Sequence, residues 1–288
     1  MFKIPSLIWD FKFKSMFKKY NTIIKGSYKK NILIDTTLPK GNTDKVIIFS
    51  HGFKGFKDWG PFNKVAEYFA GNGFVFVKFN FSYNGTSIDS PSDFVDLDAF
   101  GNNNFSKELD DLDLVIDWVE NQFSDFSITL FGHSRGGAIS ILKSAEDNRI
   151  SNLISWACPS DLLAKLPVYE KAEKWRHTNV AYIYNGRTKQ NMPLYYQFYE
   201  DCMDNQERLK IKNAVSNMQV PHLHIHGDAD PTVLIEEAHN IKSWNADTSL
   251  HIIKGANHVF GGCHPYNLTE LPIDLKEAIG VTIDFLKG

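Results

Sequence analysis

The chain has 288 residues, 43% of them hydrophobic and 23% charged, with a formal net charge of −3. This balance suits a folded globular protein with a substantial core and excludes a disordered or fibrous one; the charge gives no reason to expect a nucleic-acid partner. The three cysteines, Cys158, Cys202 and Cys263, are odd in number and widely spaced, so no disulfide framework is expected and a reducing, cytoplasmic setting is.

The N-terminal stretch mixes lysines with aromatics. Its longest uncharged run, Ile4 to Trp9, is shorter than the apolar core of a signal peptide, and no segment approaches the roughly 20 apolar residues that cross a bilayer. Ile4, Leu7, Ile8, Phe11, Met16, Phe17 and Tyr20 hint at helical spacing. The simplest expectation is a segment packed on the domain with its lysines in water, and the alternative is a helix lying on a membrane surface.

From Asn21 to Thr36, β-branched runs flank the turn sequence GSYKKN, which predicts an antiparallel hairpin at a sheet edge. Short apolar runs then alternate with helical patterns. Strands are expected at Val46 to Ser50, Phe74 to Phe79, Ile128 to Phe131, Ile150 to Trp156, His222 to His226 and Ser249 to Ile253. Helices are expected at Phe62 to Ala70, Ser106 to Asn121, from Ala138, at Val233 to Trp244 and at Pro272 to Leu286. The alternation predicts one α/β domain with a mostly parallel central sheet and helices on both faces.

Between Pro159 and Pro221 the rhythm stops and aromatics accumulate, with a hairpin expected around Asn185 to Gln190. This reads as a cap inserted after the sixth strand, and insertions at the C-terminal ends of strands lie above the ligand crevice of such folds. Its aromatics suit either an apolar substrate pocket or a small core of the insertion itself.

The strand at Ile128 to Phe131 runs into GHSRGG, Gly132 to Gly137, and a helix follows. G-x-S-x-G in that context suits a serine held in an unfavourable backbone conformation, with glycines letting strand and helix pass closely. A glycine turn with a helix-capping serine has the same local pattern. A nucleophilic serine needs a base, an orienting carboxylate and an oxyanion hole. The loop SHGFKGF after the Val46 strand offers the Phe53 N–H, which with the Arg135 N–H would make the oxyanion hole, His51 bracing the loop. HGDADPTV supplies Asp228 and Asp230, and GANHVFGG supplies His258.

These four blocks, in this order from Lys45 onward, resemble the α/β-hydrolases of the serine esterase and dienelactone-hydrolase-like group. The resemblance implies a catalytic triad of Ser134, Asp230 and His258, with Asp230 at the acid position of H-G-x-x-D-x-x-V and Asp228 a turn former. It implies hydrolysis of a small-molecule carboxylic ester through an acyl-enzyme, with no cofactor and no metal. Dienelactone hydrolase itself carries a cysteine where this chain has Ser134, so its substrate does not transfer. The same blocks resemble the catalytic part of prolyl-oligopeptidase-like peptidases, thioesters are open to the same attack, and a non-catalytic binding protein on this fold is a further alternative.

His222, His224 and His226 alternate along one strand and share a face, as metal ligands do, although the remaining ligands of such motifs are missing and no metal is expected. Asp110, Asp111, Asp113 and Asp117 are expected on the solvated face of a helix, and Cys158 and Cys263 as packing residues.

Overall fold

The computed structural model describes residues 17–288. The expectations for the N-terminal segment fall outside them, apart from Phe17 and Tyr20; Tyr20 lies in a strand, paired with Thr36.

In chain order the elements are β1 (Lys18–Lys25), β2 (Asn31–Leu38), β3 (Lys45–Ser50), α1 (Phe62–Gly71), β4 (Val75–Asn80), α2 (Leu97–Gly101), α3 (Phe105–Gln122), β5 (Ser127–His133), α4 (Arg135–Glu146) and β6 (Ile150–Trp156). Then come α5 (Glu170–Thr178), β7 (Val180–Asn185), β8 (Gln190–Tyr195), α6 (Gln197–Asp204), α7 (Ile211–Asn217), β9 (His222–Gly227), α8 (Ile235–Trp244), β10 (Ser249–Ile253) and α9 (Ile273–Lys287). β7 and β8 form a separate antiparallel ribbon, and the other strands form one eight-stranded sheet in the order β1-β2-β4-β3-β5-β6-β9-β10. The β1–β2 hairpin is antiparallel to β4 at one edge, and every pairing from β4 to β10 is parallel.

The apolar strands β3, β4 and β5 are buried on both faces because helices cover both. Val65 and Phe69 of α1 share one core layer with Leu275 and Ile279 of α9. Leu109, Leu112, Val115, Ile116 and Val119 of α3 share the other with Ile139 and Leu142 of α4. Two helices start away from their expected positions: α4 at Arg135 rather than Ala138, because Ser134 itself is its first capping position, and α8 at Ile235, because Asp230 to Leu234 are spent in a turn. Asp111 departs from the solvated-face expectation. It is 1% exposed and accepts hydrogen bonds from the Ser82 N–H and hydroxyl, and burial pushes its carboxyl up to about 7.

The topology fixes where a site can form. After β3 the chain steps outward to β4, and β5 then returns to the opposite side of β3. The loops following β3 and β5 therefore diverge at the C-terminal edge, at the switch point where open α/β sheets form their ligand crevice.

Candidate active site

Ser134 occupies the sharp turn between β5 and α4 with φ 55° and ψ −125°, a conformation that costs a side-chain-bearing residue about 1–3 kcal/mol. The flanking glycines make the turn possible. A Cβ on Gly132 would sit 2.2 Å from the Gly136 carbonyl oxygen, and one on Gly136 would sit 2.2 Å from that of Ser50. Both clashes are with backbone, so neither is relieved by moving a side chain. Although Ser134 stands at the N-cap position of α4, its side chain makes no hydrogen bond to the helix N-terminus. That excludes the helix-capping reading of GHSRGG.

Instead the Ser134 hydroxyl lies 3.0 Å from Nε2 of His258, and Nδ1 of His258 donates to Asp230 Oδ2 at 2.7 Å. The three residues arrive from the ends of β5, β9 and β10. Asp230 is buried, and its Oδ1 accepts from the N–H groups of Thr232 (2.7 Å) and Val233 (3.0 Å). Burial opposes ionisation of Asp230, but the hydrogen bond and charge of His258, with those two N–H groups, outweigh it and hold the carboxyl below its ordinary range. Asp228 is exposed and accepts from the Gly255 N–H, tying the loop after β9 to the turn after β10.

His51 and His133 support the site without titrating near neutrality. His51 donates through Nδ1 to the Gly52 carbonyl (2.9 Å), and its Nε2 faces the Phe81 N–H at 3.4 Å. Burial draws it down to about 4. His133 donates through Nε2 to the backbone carbonyl of His258 at 2.8 Å, tying β5 to the histidine loop, and burial draws it down to about 3. The loop after β3 is held from below by a buried cluster of four charges in which Lys57 and Lys78 both pair with Asp35 and Asp58. Among the described residues, neither the Phe53 nor the Arg135 N–H has an acceptor within the protein.

The Arg135 side chain packs among aromatic rings. Its guanidinium sits 4.0 Å from the centre of the Phe53 ring and 4.9 Å from that of Phe105, and it meets Glu108 at 3.3 Å. Phe198 of α6 is a third ring, 5.7 Å away, so Arg135 links the loop after β3, α3 and the segment between β6 and β9.

The three histidines of β9 form a hydrogen-bonded row. His226 Nε2 must donate, since its partner at 2.9 Å is the Val233 carbonyl, and it also lies 3.5 Å from Asp230 Oδ2. Its Nδ1 therefore accepts from His224 Nε2 (3.2 Å), His224 Nδ1 accepts from the Ser155 hydroxyl (2.7 Å), and that oxygen accepts from His222 Nε2 (2.7 Å). Thr248 closes the row by donating to His222 Nδ1 at 3.3 Å. Burial lowers all three histidines, His222 to about 3, so each is neutral with its proton on Nε2. Their shared face, read from sequence as a possible ligand set, is occupied by this row. Among the described residues no three His, Cys, Asp or Glu side chains converge as metal ligands.

A cleft of about 240 Å³ opens beside Ser134 and His258. Trp59 and Phe62 line its apolar side; Lys54, Asn185 and Arg187 are among its polar lining, the last two from the end of β7 and the turn that follows it. Sequence reasoning located that turn but assigned none of these three a role. The aromatics of the inserted segment lie elsewhere: Trp175 and Phe198 are buried in its packing, and Tyr196 stacks on Tyr199 with ring centres 5.4 Å apart. These four pack together as the second of the two readings has it, whereas Tyr169, Tyr182 and Tyr184 are exposed, and no aromatic of the segment lines the cleft among the described residues.

No curated sequence matches the chain. Solved structures with the same fold include Est1E from Butyrivibrio proteoclasticus with ferulic acid bound (18% identity, TM-score 0.71, covering 93% of this chain and 100% of that one). They also include the α/β hydrolase GrgF from Penicillium sp. sh18 (17%, TM-score 0.68, covering 94% and 98%). A third is XC6422 from Xanthomonas campestris, a serine hydrolase described as lacking a lid (18%, TM-score 0.58, covering 93% and 94%). The family described as serine aminopeptidase, S33 matches residues 41–193, which include Phe53, Ser134 and Arg135 and stop before Asp230 and His258. With that match over more than half of its length, and with this fold, the chain belongs to the serine aminopeptidase, S33 family of α/β-hydrolases.

Proposed function

We propose that the protein hydrolyses carboxylic esters of small molecules through an acyl-enzyme on Ser134. The observation that carries this reading is the unbroken Asp230–His258–Ser134 hydrogen-bond chain, ending on a serine in a strained turn beside an open cleft. His258 Nε2 takes the hydroxyl proton as the serine oxygen bonds to the ester carbon, and Asp230 stabilises the imidazolium that results. The free N–H groups of Phe53 and Arg135 receive the developing oxyanion. The carbon–oxygen bond to the alcohol then breaks, and His258 returns the proton to the departing oxygen. Water repeats the sequence in reverse: its oxygen bonds to the acyl carbon, its proton passes through His258 to Ser134, and the acid leaves.

The family description raises aminopeptidase activity as a second reading. An aminopeptidase must hold a substrate ammonium group, yet no carboxylate lines the cleft among the described residues, and Lys54 and Arg187 do. Repulsion of the ammonium favours the esterase. Asn185 and Arg187 reach the cleft from the 159–221 segment, which supports reading that segment as its cap. Among the described residues no helix is long and apolar enough to cross a membrane, in keeping with a small-molecule substrate met in water.

Mapping a fluorophosphonate adduct and screening p-nitrophenyl esters, a thioester and aminoacyl amides tests the reading. The adduct is expected on Ser134, and Ser134→Ala is expected to lower kcat by on the order of 10⁶. Absence of any adduct points to a binding protein, and amide turnover without ester turnover to the peptidase.

A further inference from the structure

Resting on the esterase reading, we infer that the substrate carries a negatively charged group, held in the cleft by Lys54 and Arg187 with Asn185 beside them. The protein as a whole is acidic, with 34 Asp and Glu against 31 Lys and Arg, so a cleft lined by cations alone is a local departure. Of the histidines that line it, His51 and His133 are neutral and His258 serves Ser134, which leaves Lys54 and Arg187 as the standing charges of its lining.

Neither cation is spent on the fold. Among the described residues neither forms an ion pair, whereas Lys57, Lys78, Arg135 and Arg149 all do. Arg187 rests on rings instead, 5.4 Å from the centre of Phe56 and 5.6 Å from that of Phe94. The acid whose charge acts on it is Asp93, which is exposed and forms no ion pair with it among the described residues. The turn that carries it is anchored: Gln190 donates to the Phe94 carbonyl at 3.1 Å, and Asn185 accepts from the Arg187 N–H at 3.2 Å. A guanidinium fixed on aromatic faces, with no acceptor for its N–H groups among the described residues, is prepared for an oxygen anion.

Two further observations point the same way. Asn185 is buried, and among the described residues its Nδ2 has no acceptor, the kind of unpaired donor that a bound ligand satisfies. Lys54 is the third residue of a turn closed by the Gly55 N–H on the Gly52 carbonyl, with φ 56°, a position where glycine or asparagine is less strained. A lysine kept there at the mouth of the cleft is explained by what its ammonium binds.

The test compares esters matched in size. On the acyl side, p-nitrophenyl hydrogen adipate is set against p-nitrophenyl hexanoate; on the alcohol side, the hexanoyl ester of 4-hydroxybenzoate is set against that of its methyl ester. Wild-type protein is expected to prefer the charged member of at least one pair by about tenfold in kcat/KM, less so at high salt. The responding pair tells which side of the scissile bond faces the cations. Arg187→Gln should remove most of that preference through KM, Arg187→Lys should retain part of it, and Lys54→Asn, which suits the left-handed turn, should reduce it without threatening the fold. Turnover of both neutral esters with no preference for either anion overturns the inference and leaves the esterase standing. A ratio unchanged in Arg187→Gln also overturns it. Turnover of none of the four esters overturns both.

Discussion

Two structures meet at the cleft and are held by different means. The sheet edge that carries Ser134, Asp230 and His258 is locked by backbone: strand register, glycines at which an added Cβ would come within 2.2 Å of a backbone oxygen, and N–H groups aimed at one carboxylate. The segment between β6 and β9 is held by side chains, chiefly Trp175, whose ring packs against Tyr196, Phe198 and Tyr199 and whose indole N–H donates to the Leu194 carbonyl at 2.9 Å. The first arrangement leaves little room for substitution. The second brings a turn to the cleft while leaving its residues open to substitution, which suits the choice of substrate.

Glycine substitution separates the two most sharply. Gly136→Ala drives a methyl into the Ser50 and His51 carbonyls, so a loss of more than about 4 kcal/mol is expected, or failure to accumulate folded protein, read by denaturant unfolding. Gly186→Ala, in the β7–β8 turn, meets nothing within 4 Å and should stay within about 0.5 kcal/mol of wild type. Equal effects would erase the contrast.

Trp175→Ala asks whether the inserted segment loosens separately. Removing a buried indole costs about 3–5 kcal/mol, and here the loss should fall first on the surrounding elements, α5 to α6. Limited proteolysis is expected to cut within that segment while fluorophosphonate still labels Ser134. Labelling that disappears in step with the cuts would mean that inserted segment and sheet unfold as one unit.

The same division explains what was legible in the amino-acid sequence. The parallel strands, the serine turn and the order of acid and histidine each leave a local mark, because glycine spacing and apolar runs answer to backbone geometry. Arg187, Asn185 and Lys54 leave none. Their meaning depends on which carboxylates are absent around them, and only the folded chain decides that. Asp111 was misread for a related reason: helical periodicity put it on the polar face, but the Ser82 loop covers that part of α3. The histidines of β9 show a third case, in which alternation correctly put them on one face but could not distinguish metal ligands from a hydrogen-bonded row.

That row yields the smallest and most specific prediction. His222, His224 and His226 are neutral when folded and, with His51 and His133, are held below the roughly 6.5 of an unfolded histidine. On acidification the unfolded chain therefore takes up protons first. Their contribution to stability is complete above about pH 6.5 and is lost as pH falls toward the folded values, about 3 for His222. His222→Gln replaces the Nε2 donor to Ser155 with an amide that does not titrate. It should cost about 1–2 kcal/mol at pH 8, from the lost bond to Thr248 and imperfect packing. Between pH 6 and 4 it should flatten the dependence of unfolding free energy on pH by about 1.4 kcal/mol per unit, one proton's worth. Denaturant titrations of both proteins across that range measure the difference. An unchanged slope would mean that His222 already carries its proton in the folded state, and the direction assigned to the whole row would then be wrong, because a charged His222 cannot accept from Thr248.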